Sequence, residues 1–189
     1  MKTKYSSRFL IAGLTCMVAV AAHAADSRAD KQMKIRNMAQ DTLQRLYAAE
    51  PRAKAKVQGA AGYAVFSDLG VKILFAGSGK GHGIAINNKT KQETFMKMLE
   101  LQAGLGVGVD KFRVVFVFDT QDAFDKFINS GWEFGEQASL AAKSEDKGAG
   151  LAGAVSVSDG VSMYQLTDEG LAAEITVKTS KFSKDDDLN

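Results

Sequence analysis

The chain has 189 residues, with 24 Lys and Arg against 22 Asp and Glu, one cysteine and two histidines. These counts exclude a disulfide scaffold, metal centres built on several Cys or His, and repeated Cys–His catalytic pairs. The length suits one domain, since a chain of about 150 residues buries roughly 70% of the surface it exposes when unfolded.

Lys2, Lys4 and Arg8 precede an apolar run from Phe9 to Val20, and Ala22-His23-Ala24 supplies an A-x-A cleavage site. This is the pattern of a secretory signal peptide, with an apolar run too short for the roughly 20 residues of a membrane-spanning helix. Thr15 and Gly13 ahead of Cys16 do not fit a lipoprotein signal, so export as a soluble protein is expected, with periplasmic localisation and peripheral membrane association as an option. Cleavage near Ala24 leaves residues 25–189 as a single domain without cysteine. Its 21 basic and 22 acidic residues give a net charge of −1.

From Asp26 to about Glu50 the spacing of Ile35, Met38, Ala39, Thr42, Leu46 and Tyr47 predicts an amphipathic helix that Pro51 stops. Between Asp26 and Lys56 eight basic residues face four acidic ones, giving a charged outer face suited either to solvent or to an anionic surface. Strands are predicted over 62–66, 71–76, 83–86, 94–101 and 112–118, with short turns, among them one at Asn87-Asn88. Thr120 then caps a helix over Gln121 to Asn129, with Phe124, Phe127 and Ile128 as its apolar face and Gly131 as a left-handed stop. Lys143 to Gly150 reads as a loop, 161–166 and 172–179 as a closing hairpin, and Lys184 to Asn189 as a polar tail with solvated Asp185, Asp186 and Asp187. Ser67-Asp68-Leu69-Gly70-Val71 and Ser158-Asp159-Gly160-Val161 hint at an internal duplication of hairpins.

Glycines occupy alternate positions twice, at Gly77, Gly79, Gly81 and Gly83 and at Gly104, Gly106 and Gly108. Period two is the side-chain period of a strand, so each set bares one face of a sheet, where a bend or a close approach by backbone or ligand is expected. A nucleotide loop is disfavoured: neither G-x-G-x-x-G nor the Walker pattern is present. Gly77 to Gly83 reads instead as a glycine-rich hairpin carrying Lys80 and His82.

Catalytic groups are scarce. His82 is the one histidine beyond the signal, Ser78 lacks a nucleophile elbow, and Asp119, Asp122 and Asp125 lack the offsets of a calcium loop. Asp122 and Asp125 complement the dipole of the helix they begin. No enzyme activity, cofactor, metal or nucleic-acid partner is expected.

Several blocks in this order resemble the SYLF domain: Ala60 to Phe66, the glycine-alternating Ala76 to Ile86, Gln102 to Gly108, Phe116-Val117-Phe118 before a helix, and Phe134-Gly135. Tyr164 to Leu171 and Thr179 to Phe182 are similar to its exported bacterial branch, and the resemblance spans roughly 26–189. Ser67 departs from the proline that many relatives carry there. The expected architecture is α+β, a curved, mainly antiparallel sheet with glycine-rich strands packed against an N-terminal amphipathic helix and a second short helix.

The resemblance implies a non-enzymatic lipid-binding domain; eukaryotic members bind phosphoinositide membranes and some bind actin. For an exported bacterial-type protein it implies an anionic phospholipid or membrane surface as partner, and no actin. Lys31, Lys34 and Arg36 on the helix, Lys80 and His82 on the glycine-rich segment, and Trp132 after Gly131 are the candidate lipid contacts. A core position for Trp132 is the stronger expectation. The alternative is an envelope interaction module that recruits a protein partner through its sheet edge or glycine face.

Overall fold

A computed structural model describes residues 12–134, 153–167, 170–171 and 179–189. Helix α1 (Ala12–Ala49) and helix α2 (Pro51–Gly59) are followed by strands β1 (Gly62–Asn87) and β2 (Glu93–Phe118). Helix α3 (Gln121–Ser130) and strands β3 (Trp132–Phe134), β4 (Ala154–Ser158), β5 (Val161–Thr167), β6 (Gly170–Leu171) and β7 (Thr179–Lys184) complete the described chain. The architecture is α+β, with a curled seven-stranded antiparallel sheet and α1 packed on it.

Helix α1 begins at Ala12, earlier than the spacing of its apolar stripe predicts, and runs through the alanine-rich segment around Ala24. Nothing there breaks it, because alanine has the strongest helix propensity. The predicted stripe is the docked face: Ile35, Ala39, Thr42 and Leu46 are buried, and Met38 and Tyr47 are half-buried. Pro51 ends α1 and also starts α2, a helix the apolar pattern does not reveal. Glu50 is extended at its N-cap and accepts from the Arg52 backbone N–H at 3.1 Å, while proline occupies the first helical turn.

The largest correction concerns the strands. The three predicted over 62–86 are one 26-residue strand, β1, and those over 94–118 are one 26-residue strand, β2. Lys80 and His82 therefore lie inside a strand, not in a hairpin. The two strands pair from Gly62↔Phe118 to Ile86↔Glu93 around a turn in which the Asn87 Oδ1 accepts from the Lys89 and Thr90 backbone N–H groups, at 2.9 and 3.0 Å. Asn88 Nδ2 donates to the Val57 and Ala60 carbonyls, at 2.7 and 2.9 Å, and so ties this turn to the end of α2.

A straight strand of that length would reach about 85 Å, so β1 must bend. Its two ends lie side by side: Asn88 N–H donates to the Ala61 carbonyl at 2.9 Å, and a methyl group on Gly83 would lie 2.5 Å from the Val65 carbonyl. The register shifts between Leu74, which pairs with Gly106, and Ala76, which pairs with Ala103, so Gly104 falls within the irregularity. Glycine and a bulge are the usual means of bending a strand. Among the alternating glycines the close approach is found at Gly83 and the register irregularity at Gly104 to Gly106.

Helices pack on both faces of the sheet. On one side α1 and α2 pack on Val65, Ile84, Phe95, Val115, Val117, Tyr164 and Leu166. On the other, Phe124 and Phe127 of α3 pack on Phe66, Phe116, Phe118, Met163 and Phe182, with ring centroids 4.8 Å apart for Phe66–Phe182 and 4.9 Å for Phe118–Phe127. The continuous apolar run of 114–118 follows from this double burial. Thr120 caps α3 by accepting from Ala123 N–H at 3.3 Å, and Gly131 ends it with a φ of 69°, as predicted.

Strand β5 matches the expected 161–166, whereas the predicted loop at 143–150 and most of the strand at 172–179 lie outside the described residues. The hint of duplication does not hold, since Ser158-Asp159-Gly160 forms a turn between β4 and β5 while Ser67 to Val71 lies within β1. Asp186 and Asp187 are solvated as expected, but 184–189 is not a free tail. Leu188 and Asp185 are buried, and the Asn189 side chain joins the main chain of Phe95.

Candidate functional site

Strand alternation places charged residues on the helix-covered face of the sheet, beyond the reach of α1. Ile84 and Phe95 belong to the core beneath α1. Two residues further along their strands, on the same face, stand His82 and Lys97, and two residues further again Lys80 and Leu99. Strand β7 extends both rows, as Lys97 pairs with Ser183 and Leu99 with Lys181. The result is a three-strand patch in which Leu99 has a lysine on either side, Lys80 on β1 and Lys181 on β7, and the next row contributes His82 and Lys97.

All four basic residues are exposed, and Leu99 keeps 41% of its surface in solvent. Lys80 and Lys181 each stand directly opposite Leu99, about 5 Å from it at Cβ, and Lys97 is diagonal to both at about 7–8 Å, so the three ammonium groups act on one small surface. Among the described residues, none of these lysines has an ion-pair partner. Glu133 on β3 stands opposite Lys181, and His82 Nδ1 lies 3.9 Å from Asp185 Oδ2. The alternation of the sheet and the pairing of β7 are what assemble this group; Lys97, Leu99 and Lys181 escaped the sequence reading because strand pairing, not proximity in sequence, unites them.

The helix residues divide. Lys31 and Lys34 are exposed. Arg36 instead holds α1 to the sheet, with its Nε 2.8 Å from Glu93 Oε2 and its guanidinium 5.1 Å from the centre of the Phe95 ring. Gln32 Nε2 donates to the Leu188 carbonyl at 2.7 Å, and Arg28 donates to the Asn189 carbonyl. Further along the same helix, Arg113 of β2 donates to Asp41 and, at 3.2 Å, to Thr42 Oγ1. That hydrogen bond, with the nearby charges of Arg113 and Arg45, holds the Asp41 carboxyl below its ordinary range. Trp132 packs on Phe116 and Phe127, at centroid separations of 5.4 and 6.1 Å, on the α3 side of the sheet. It is therefore separated from Lys80 and His82 by the sheet itself.

Of the close-approach glycines, Gly83 meets Val65 and Phe66, Gly104 lies within the shift in register and Gly106 borders it. Gly77, Gly79 and Gly81 continue β1, and Gly108 pairs with Lys72. A separate concavity of about 760 Å³ lies between α3 and the Gly160 turn, floored by Phe127 and Trp132. Its rim carries Asp122, Asp159 and Lys126, whose ammonium already pairs with Asp122 at 2.9 Å, so its charge does not suit an anion. Among the described residues there is no cluster of three or more His, Cys, Asp or Glu able to hold a metal ion, and no helix is long and apolar enough to cross a membrane.

A curled antiparallel sheet built on one folded-back hairpin, with helices on both faces, defines the class of domain. Residues 99–189 match the family model described as "Ysc84: Las17-binding protein actin regulator", which is the SYLF domain family. The chain is also 31% identical over 159 residues to beta cell expansion factor A of Aeromonas veronii, an alignment covering 84% of this chain and 59% of that protein. The chain thus spans well under two thirds of the length of that relative.

Proposed function

We propose that this protein is an exported, non-enzymatic phospholipid-binding module that acts at the periplasmic face of a bacterial membrane after removal of residues 1–24, with 25–189 as its single domain. The match to the SYLF family supports a lipid-binding or actin-related module, and the export signal favours the lipid. The observation that carries the reading is the cationic surface formed by Lys80, Lys97 and Lys181 around an exposed Leu99. Each lysine near an anionic membrane contributes on the order of 1 kcal/mol, and an inserted leucine adds roughly 2 kcal/mol. The sum describes reversible, salt-sensitive association. No step of chemistry is needed, and no nucleic acid, cofactor or actin enters the reading.

The test is flotation of the exported protein with vesicles of phosphatidylcholine alone or with added phosphatidylglycerol or cardiolipin, at low and moderate salt. Co-flotation that requires anionic lipid and weakens with salt is the expected result. Absence of flotation in every mixture would sink the membrane-surface reading and favour an envelope protein as partner.

A further inference from the structure

We infer that the protein meets the membrane through the open face of its sheet, with Leu99 as the inserting side chain, and not through helix α1. The inference rests on the phospholipid-binding reading and specifies the surface that does it. An interfacial helix binds by laying an unpartnered apolar face into the boundary between headgroups and acyl chains. In α1 that face is already occupied: Ile35, Ala39 and Leu46 are buried against the sheet, and Gln32 and Arg36 are engaged by Leu188, Glu93 and Phe95. Met33, 57% exposed, is the one large apolar side chain that the described part of α1 leaves open. A single methionine does not make an amphipathic insertion face.

The sheet offers the opposite arrangement. Leu99 is open to solvent, with Lys80 and Lys181 as its direct cross-strand neighbours and Lys97 two residues before it on the same face. A phosphate alone would be served by the lysines and gains nothing from a leucine between them. An anionic bilayer uses both, because phosphodiesters surround acyl chains at the depth a leucine reaches beneath lysine ammonium groups. His82 and Asp185, 3.9 Å apart, border the patch.

The experiment compares three forms of the exported protein on vesicles of phosphatidylethanolamine and phosphatidylglycerol. These are the wild type, a sheet variant (Lys80→Gln, Lys97→Gln, Lys181→Gln) and a helix variant (Lys31→Gln, Met33→Ala, Lys34→Gln). The sheet variant is expected to partition about a hundredfold more weakly, at roughly fivefold per lysine, and the helix variant no more than a fewfold. Independently, an environment-sensitive nitrobenzoxadiazole dye on Leu99→Cys is expected to brighten and shift to the blue on vesicle addition, while the same dye on Met33→Cys stays unchanged. The dye readout decides the matter if the triple variant is unstable. Wild-type binding that survives the sheet substitutions, or a response at Met33 without one at Leu99, overturns the inference while leaving phospholipid binding intact. If the wild type binds no vesicles, the underlying reading fails and the inference fails with it. Retention by an acidic protein or polymer without flotation assigns the patch to another anionic partner.

Discussion

Gly83 and Phe66 touch across the fold of a single strand: a methyl group on Gly83 would fall 2.2 Å from Cδ1 of Phe66. The neighbouring Val65 carbonyl, 2.5 Å from the same point, belongs to the main chain and cannot rotate away. Gly83→Ala is therefore expected to destabilise the protein by about 1–3 kcal/mol through overpacking. Gly59→Ala is the control, because nothing lies within 4 Å of the added carbon and alanine favours the helix there. Urea titrations of both variants check the contrast; equal stability would contradict the folded-back strand.

This contact also explains what the sequence did and did not reveal. The period-two glycines at 104–108 lie in a strand as their spacing predicts, and the α1 stripe and the α3 caps are legible almost to the residue, because each is written in local spacing. The patch was not. Lys97 and Lys181 are 84 residues apart, and only the pairing of β2 with β7 brings them to one face. The same holds for Arg36, whose basic side chain suggested an anionic ligand although its partners, Glu93 and Phe95, lie on a distant strand. The glycines of 77–83 suit a hairpin and a bent strand alike, and only the partner strand decides between them.

Residues 185–189 clamp α1 to the sheet. Asn189 Oδ1 accepts from Phe95 N–H at 2.9 Å, its Nδ2 donates to the Phe95 carbonyl at 2.8 Å, and Leu188 fills the core beneath α1. Leu188→Ala is expected to cost about 2–4 kcal/mol by leaving a cavity. Asn189→Ala is expected to cost about 1–3 kcal/mol by stranding the backbone N–H of buried Phe95, whose carbonyl keeps the Asp185 N–H at 3.0 Å. Amide hydrogen exchange should show faster exchange at Phe95 in Asn189→Ala. Unchanged protection there would exclude the clamp.

Alkaline pH should unfold the protein through its tyrosines. Burial, together with the nearby Tyr63, pushes the Tyr47 hydroxyl from 10.0 up to about 12, and burial also raises Tyr63 and Tyr164. The unfolded chain then ionises first, so the stability from keeping these groups neutral is complete below pH 10.0 and is lost as pH rises through about 12. Tyrosinate absorbance and circular dichroism should change together in that window, and Tyr47→Phe should flatten the loss. Tyr164→Phe removes a buried hydroxyl that has no hydrogen-bond partner among the described residues, so stability at neutral pH should be unchanged or raised by up to about 1 kcal/mol.

On the acid side the sign is reversed. Arg113 holds Asp41 below its ordinary 3.8, so this contribution is present above that pH and is lost as pH falls below it. Asp41 is about half exposed, so its share is small and screened by salt. Asp41→Asn should reduce the slope of stability against pH in this acid range at low ionic strength and have little effect on it in high salt; a slope unaffected by the substitution at low salt would remove Asp41 from the acid response.

Trp132, the single tryptophan, reports on the fold and not on the membrane. Its ring packs on Phe116 and Phe127, on the side of the sheet opposite the lysine patch. Its fluorescence should therefore shift to the red on unfolding in urea and remain unchanged when saturating anionic vesicles are added, even when flotation shows complete binding. Quenching by brominated acyl chains would place the α3 side in the bilayer and reverse the orientation inferred for the bound protein. A response at a dye on Leu99→Cys beside a silent Trp132 fixes which face of the sheet is toward the lipid. Those two probes sit on opposite faces, so a rotation of the molecule on the membrane must brighten one at the expense of the other.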